Sequence, residues 1–111
     1  MKAEKKSVPP VKVALDKICG SWKAVILYEL QSQTLRFGEL KERVSGITQS
    51  VLTRQLNQLE KDGFIKREVY YQIPMKVEYS LTSYGRETKP VLEALNGWGA
   101  DHHLHYRKNE G

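Results

Sequence analysis

Gly46-Ile47-Thr48-Gln49-Ser50-Val51-Leu52-Thr53-Arg54-Gln55-Leu56-Asn57-Gln58-Leu59-Glu60-Lys61-Asp62-Gly63-Phe64-Ile65-Lys66-Arg67 is the stretch that decides the architecture. Thr48 is placed to cap a helix, because its hydroxyl can accept from a free N–H of the first turn. Leu52, Leu56 and Leu59 follow at i, i+4 and i+7 and therefore share one side. Gly63 suits the left-handed residue that ends a helix. At about 100° per residue, Ser50, Thr53, Arg54, Asn57 and Lys61 fall on the side away from the leucines. That outward face offers hydroxyl, guanidinium, amide and ammonium groups, the set that reads base edges and phosphates in a DNA major groove. Any amphipathic surface helix has such a polar side, so the neighbouring segments must decide what this one does.

Upstream, the spacing of Phe37, Leu40 and Val44 predicts a helix over 37–44, and Ser45-Gly46-Ile47 makes a tight turn into the next one. Two helices joined by a short glycine-containing turn form a helix-turn-helix. Downstream, 64–71 is rich in β-branched and aromatic residues and reads as a strand. Gln72-Ile73-Pro74-Met75 is a loop, since proline cannot donate to a ladder. Residues 76–81 alternate and put Val77, Tyr79 and Leu81 on one face. A hairpin directly after a helix-turn-helix makes the fold a winged helix: mainly α with a small β-hairpin (α+β). Lys66, Arg67 and Lys76 flank the hairpin as candidate phosphate or minor-groove contacts; charges on an exposed hairpin edge also guard against strand addition.

The remainder of the chain fits around this unit. Ser7-Val8-Pro9-Pro10 is an extended lead-in. Val11, Ala14, Leu15 and Ile18 predict a short helix over 11–18, with Gly20 beyond its end. Ser21 is placed to cap a second helix over about 22–31, apolar almost all round and therefore expected to be the most buried, with Trp22 packing into the core. Residues 33–36 connect it onward, with a stub of strand at 34–36. Thr82 caps a last helix carrying Tyr84, Val91, Leu92, Leu95 and Trp98, and Pro90 inside it predicts a kink or a restart. Such a helix, beyond a completed small domain, lacks core of its own to cover Leu92, Leu95 and Trp98. Burial of Val11, Leu15, Leu92, Leu95 and Trp98 against a second copy is the expected solution, so the architecture is read as dimerising through its N- and C-terminal helices.

Size and charge agree. At 111 residues, 28% charged and 40% apolar, this is one soluble globular domain. It is read as a basic flexible tail over 1–7 followed by a single domain over 8–108. No apolar run approaches the roughly 20 residues that span a bilayer, and MKAEKKSVPP lacks the apolar segment of a secretory signal. No membrane association and a cytoplasmic location are expected. The net charge of +5 favours a polyanionic partner. Residues 1–23 hold six lysines against Glu4 and Asp16.

Other chemistry finds little support. No glycine-rich phosphate loop or nucleophile elbow occurs and every histidine lies in the C-terminal tail, so no catalytic residue and no cofactor are assigned. Glu39 and Glu42 read as solvent-facing. Asp101, His102, His103 and His105 invite a metal, but no further ligand cluster stands elsewhere and no metal site is assigned. The single Cys19 excludes an intrachain disulfide; it is expected to be a small buried hydrophobe and is the one candidate redox residue. A winged helix that binds protein or RNA is the competing reading, and RNA recognition would call for aromatic stacking residues that the outward face lacks.

Val11-Lys12-Val13-Ala14-Leu15-Asp16, Gly20-Ser21-Trp22-Lys23, Ile26-Leu27-Tyr28-Glu29-Leu30 and Arg36-Phe37-Gly38-Glu39-Leu40 resemble the HxlR-type winged-helix transcriptional regulators. So do Gly46-Ile47-Thr48, Leu52-Thr53, Leu56, Leu59-Glu60, Asp62-Gly63, Val77-Glu78-Tyr79-Ser80-Leu81-Thr82 and Gly85-Arg86, so that the likeness runs from about residue 10 to residue 99. The resemblance implies a cytoplasmic, prokaryotic, homodimeric DNA-binding regulator, distantly MarR-like, that dimerises through its first and last helices. Many relatives carry a cysteine just before the proline that opens the first helix, and in some it senses electrophiles or oxidants; here that position is Pro9, and the mechanism does not carry over. Together these readings predict a transcriptional regulator, a repressor or autoregulator, on double-stranded DNA. Two copies would occupy successive major grooves of a pseudo-palindromic operator, about 34 Å apart. Gln49, Ser50, Thr53 and Arg54 approach bases, Asn57, Lys61 and Arg36 fix the backbone, Lys66, Arg67 and Lys76 add wing contacts, and Thr48 at the head of the helix is counted with the DNA-binding set. The reading leaves room for a small-molecule effector but specifies neither the effector nor the regulated genes.

Overall fold

The computed structural model describes residues 8–20 and 22–110, with side chains described through residue 102. The tail lysines Lys2, Lys5 and Lys6, the cap expected at Ser21, and the side chains of His103 and His105 lie outside the described residues. Within them the order is α1 (Pro10–Ile18), α2 (Lys23–Glu29), β1 (Leu35–Arg36), α3 (Phe37–Arg43), α4 (Gln49–Lys61), β2 (Ile65–Tyr70), β3 (Lys76–Leu81), α5 (Ser83–Arg86) and α6 (Lys89–Glu110). The strands form one antiparallel sheet in the order β1-β3-β2. This is the winged helix that the segment order predicts.

The leucine spacing of α4 does what its periodicity requires. Leu52, Leu56 and Leu59 are enclosed together with Ile26, Leu27 and Leu30 of the α2 segment, Leu40, Val44, and Ile65, Tyr79 and Leu81 of the wing base. Each such side chain contributes about 1.5–3 kcal/mol by leaving water. The two-residue strand β1 belongs to the same core, because it buries Leu35 and turns Arg36 outward. Leu35 lies opposite Tyr79 in the register.

Both ends of α4 are fixed locally. The Thr48 hydroxyl accepts from the Val51 N–H at 3.2 Å. Gly63, at φ 85°, carries the chain into the left-handed region. There its N–H donates to the Glu60 carbonyl at 3.0 Å and the Phe64 N–H donates to the Leu59 carbonyl at 3.0 Å, the paired bonds of a Schellman turn. Gly46 has φ 90° in the turn between α3 and α4, a conformation that side chains with a Cβ avoid. Glu39 is solvent-facing, as expected, and its Oε1 also accepts from the Arg36 N–H at 2.8 Å, which caps α3.

Two expectations change and a third holds. The second helix is shorter than predicted and is not buried all round: Ile26 and Leu27 face the core while Val25 and Tyr28 are exposed, because core lies on only one of its sides. The last helix does restart at Pro90. α5 ends at Arg86, α6 begins at Lys89, and Pro90 sits in the first turn, where a missing N–H breaks no helical bond. The gap is held by Thr88, whose hydroxyl donates to the Gly85 carbonyl at 2.7 Å and accepts from Gln31 Nε2 at 3.2 Å. Leu92, expected to need a second copy to cover it, is 2% exposed within this chain, since the first turns of α6 pack on α2. Among the described residues no helix is long and apolar enough to cross a membrane.

Candidate nucleic-acid interface

The outward side of α4 is open along its length. Thr48, Gln49, Ser50, Thr53, Arg54, Asn57 and Lys61 are all exposed, opposite the buried leucines. The Thr53 hydroxyl donates to the Gln49 carbonyl at 2.9 Å. Among the described residues Arg54, Asn57 and Lys61 have no ion-pair or hydrogen-bonding side-chain partner. Their charge and hydrogen-bonding capacity therefore point at solvent. Arg36 is exposed at the end of β1, one residue before α3. Arg43 is engaged instead, with Nη1 3.6 Å from Glu29 Oε1, which ties α3 to the α2 segment.

The wing carries less free positive charge than its sequence suggests. Register pairs Ile65 with Leu81, Arg67 with Tyr79 and Val69 with Val77 on the core-side face. Lys66 with Ser80, Glu68 with Glu78 and Tyr70 with Lys76 share the outer face, because successive strand residues point to opposite sides. Lys66 and Arg67, adjacent in sequence, thus leave the sheet in opposite directions. Lys76 is half-buried: its Nζ lies 3.6 Å from Glu78 Oε2 and 4.7 Å from the centre of the Tyr70 ring. Tyr70 donates to Glu68 Oε1 at 3.3 Å. The Glu68 charge first, then desolvation and the Glu78 charge, hold the Tyr70 phenol above its ordinary pKa.

Two surfaces escaped the sequence reading. One is a groove of about 320 Å³ between α2 and α6, lined by Val25, Tyr28, Glu29, Leu92, Leu95 and Asn96. Val25 and Tyr28, at i and i+3 on the side away from Ile26 and Leu30, carried the signal, but an apolar helix hides which of its sides is covered. The other is the wing tip, discussed below. Of the five residues expected between copies, Val11 is 66%, Leu15 51% and Trp98 67% exposed, Leu95 is also exposed, and Leu92 is buried within this chain. Trp98 stacks on His102 with ring centres 4.9 Å apart. Cys19 is exposed rather than a buried hydrophobe, because it follows the last turn of α1, where its N–H donates to the Leu15 carbonyl at 3.1 Å.

Comparison with known proteins points the same way. The family profile described as HxlR-like helix-turn-helix matches residues 17–107. The chain is 50% identical over 90 residues to the uncharacterized HTH-type transcriptional regulator YdeP of Bacillus subtilis (strain 168), covering 81% of this chain and 70% of that protein. Its fold superposes on the redox regulator HypR in its oxidized form with TM-score 0.80 at 44% identity, covering 84% of this chain and 96% of that one. It likewise superposes on a MarR-family transcriptional regulator from Porphyromonas gingivalis W83 with TM-score 0.80 at 29% identity, covering 86% and 97%.

Proposed function

This chain belongs to the HxlR-like helix-turn-helix family and is a transcriptional regulator, not an enzyme; on that premise we propose that it binds a pseudo-palindromic operator as a homodimer and acts as a repressor or autoregulator in the cytoplasm. The observation that carries this reading is the outward face of α4, polar throughout with Arg54 and Lys61 as its cations, where Arg54, Asn57 and Lys61 have no side-chain partner among the described residues. Gln49, Ser50, Thr53 and Arg54 approach base edges from the first turns of the helix, while Asn57, Lys61 and Arg36 hold phosphates. The exposed apolar residues of α1 and α6 support pairing of two copies through Val11, Leu15, Leu95 and Trp98. A signal has two places to act: the groove between α2 and α6, which suits a small apolar effector, and the exposed Cys19 thiol.

Selection of bound fragments from genomic DNA tests the proposal and yields the operator. The expected result is an inverted repeat with half-site centres about 10–10.5 bp apart. Fragments no more enriched than random DNA would contradict it. The acidic pair on the wing adds a prediction of its own. Glu78→Gln removes a carboxylate opposite Glu68 and releases Lys76. It should tighten binding to DNA of any sequence about threefold and steepen the dependence of log affinity on log salt by roughly 0.9, both measurable by anisotropy titration at several salt concentrations.

A further inference from the structure

The tip of the wing is its most conspicuous unexplained surface. Between β2 and β3 the chain exposes Tyr71 (88%), Ile73 (100%) and Met75 (61%). Apolar side chains so fully in water, at the end of a hairpin whose base is firmly held, need a destination. The base is held because the Thr82 hydroxyl donates to the carbonyls of Gly63 at 2.6 Å and Phe64 at 3.2 Å. The hairpin therefore keeps a fixed relation to the C-terminal end of α4. β2 has six residues, and at about 3.3 Å per residue the tip stands roughly 20 Å from that end. Adjacent major and minor grooves are separated along the duplex by about half a helical turn, roughly 17 Å.

Charge decides how the hairpin approaches. Its outer flank sets Glu68 directly opposite Glu78, and Lys76, the cation nearest the tip, is already engaged by Glu78 and the Tyr70 ring. With Lys66 at its base, the flank carries two cations against two carboxylates and so has no net charge to draw it onto phosphates, and the tip has no spare cation with which to bind them. What it does have is an aliphatic pair, Ile73 and Met75, flanking Pro74 at the farthest reach of the hairpin. These are residue types that enter a minor groove and wedge between base steps, unstacking them and bending the duplex. We infer that the wing inserts Ile73 and Met75 into the minor groove beside each half-site as an apolar wedge, reading the ease of unstacking rather than phosphate charge. Specificity then extends beyond the bases that α4 touches, favouring flexible pyrimidine–purine steps at the flank.

This inference rests on the operator-binding reading, and the test separates the two. Operators carrying 2-aminopurine at successive flanking positions are titrated with the full-length wild type and with the double variant Ile73→Ala, Met75→Ala. Both side chains are exposed, so the variant keeps its fold. The wild type should raise the fluorescence of one flanking probe in each half-site. The double variant should lose that rise and bind about tenfold more weakly, with an unchanged salt slope. Tight wild-type binding with silent probes at every position would overturn the wedge alone, as would unchanged DNA affinity in the double variant. Failure of the wild type to bind any operator would remove the parent reading and the wedge with it.

Discussion

Replacing Gly85 with alanine should cost about 3 kcal/mol and lower the thermal midpoint by about 12 °C or more, the upper range for overpacking a closed site. Gly85 is buried in α5. A methyl group there would overlap the carbonyl oxygen of Phe64 and stand 3.2 Å from Leu81 Cδ2. The carbonyl cannot step aside cheaply. It accepts from the Thr82 N–H at 3.0 Å and the Thr82 hydroxyl at 3.2 Å, and the same hydroxyl accepts from the Gly85 N–H at 3.0 Å. One small network joins the end of α4, the base of the wing and the start of α5, and only glycine lets them approach so closely. Thermal unfolding followed by circular dichroism checks this; a fall of under about 3 °C would mean that α5 lies farther from Phe64 than the structure has it.

Leu56→Ala should be comparably damaging, at about 2–5 kcal/mol. Its side chain is 1% exposed among Ile, Leu and Val neighbours that cannot collapse into the space. Against a typical total stability of about 5–15 kcal/mol, that loss leaves a measurable fraction unfolded. Urea denaturation of Leu56→Ala beside Arg54→Ala compares the two sides of one helix. The arginine variant should stay within about 0.5 kcal/mol of wild type, since Arg54 has no side-chain partner among the described residues. A Leu56→Ala cost below about 1 kcal/mol would mean that α4 is rotated from the orientation described.

Much of this was legible because its causes are local. Thr48, the three leucines and Gly63 specify the start, facing and end of α4 within a single segment. Pro90 marks the restart of the last helix because proline lacks the N–H that an uninterrupted helix needs. What was hidden depends on which elements meet. Leu92 looked orphaned in sequence and is covered by α2, a contact that no periodicity reveals. Val25 and Tyr28 look like core in an apolar helix until α6 leaves that side open. Lys76 counts as a free cation in the sequence, and only the strand register brings Glu78 and Tyr70 to it. The same register separates Lys66 from Arg67 and puts Glu68 opposite Glu78. Gly85 came into view through family resemblance alone, and the position of the Phe64 carbonyl supplies its physical reason.

The most direct test of the central claim, that the outward face of α4 reads operator bases, is an equilibrium titration of Arg54→Ala against wild type. Both proteins are measured on the selected operator and on a set with each half-site base pair substituted in turn. The expected result is a loss of about 1–3 kcal/mol, roughly 5- to 150-fold, together with relaxed preference at one position in each half-site and an unchanged thermal midpoint. Wild-type affinity and an unaltered base preference in the Arg54→Ala protein would contradict it.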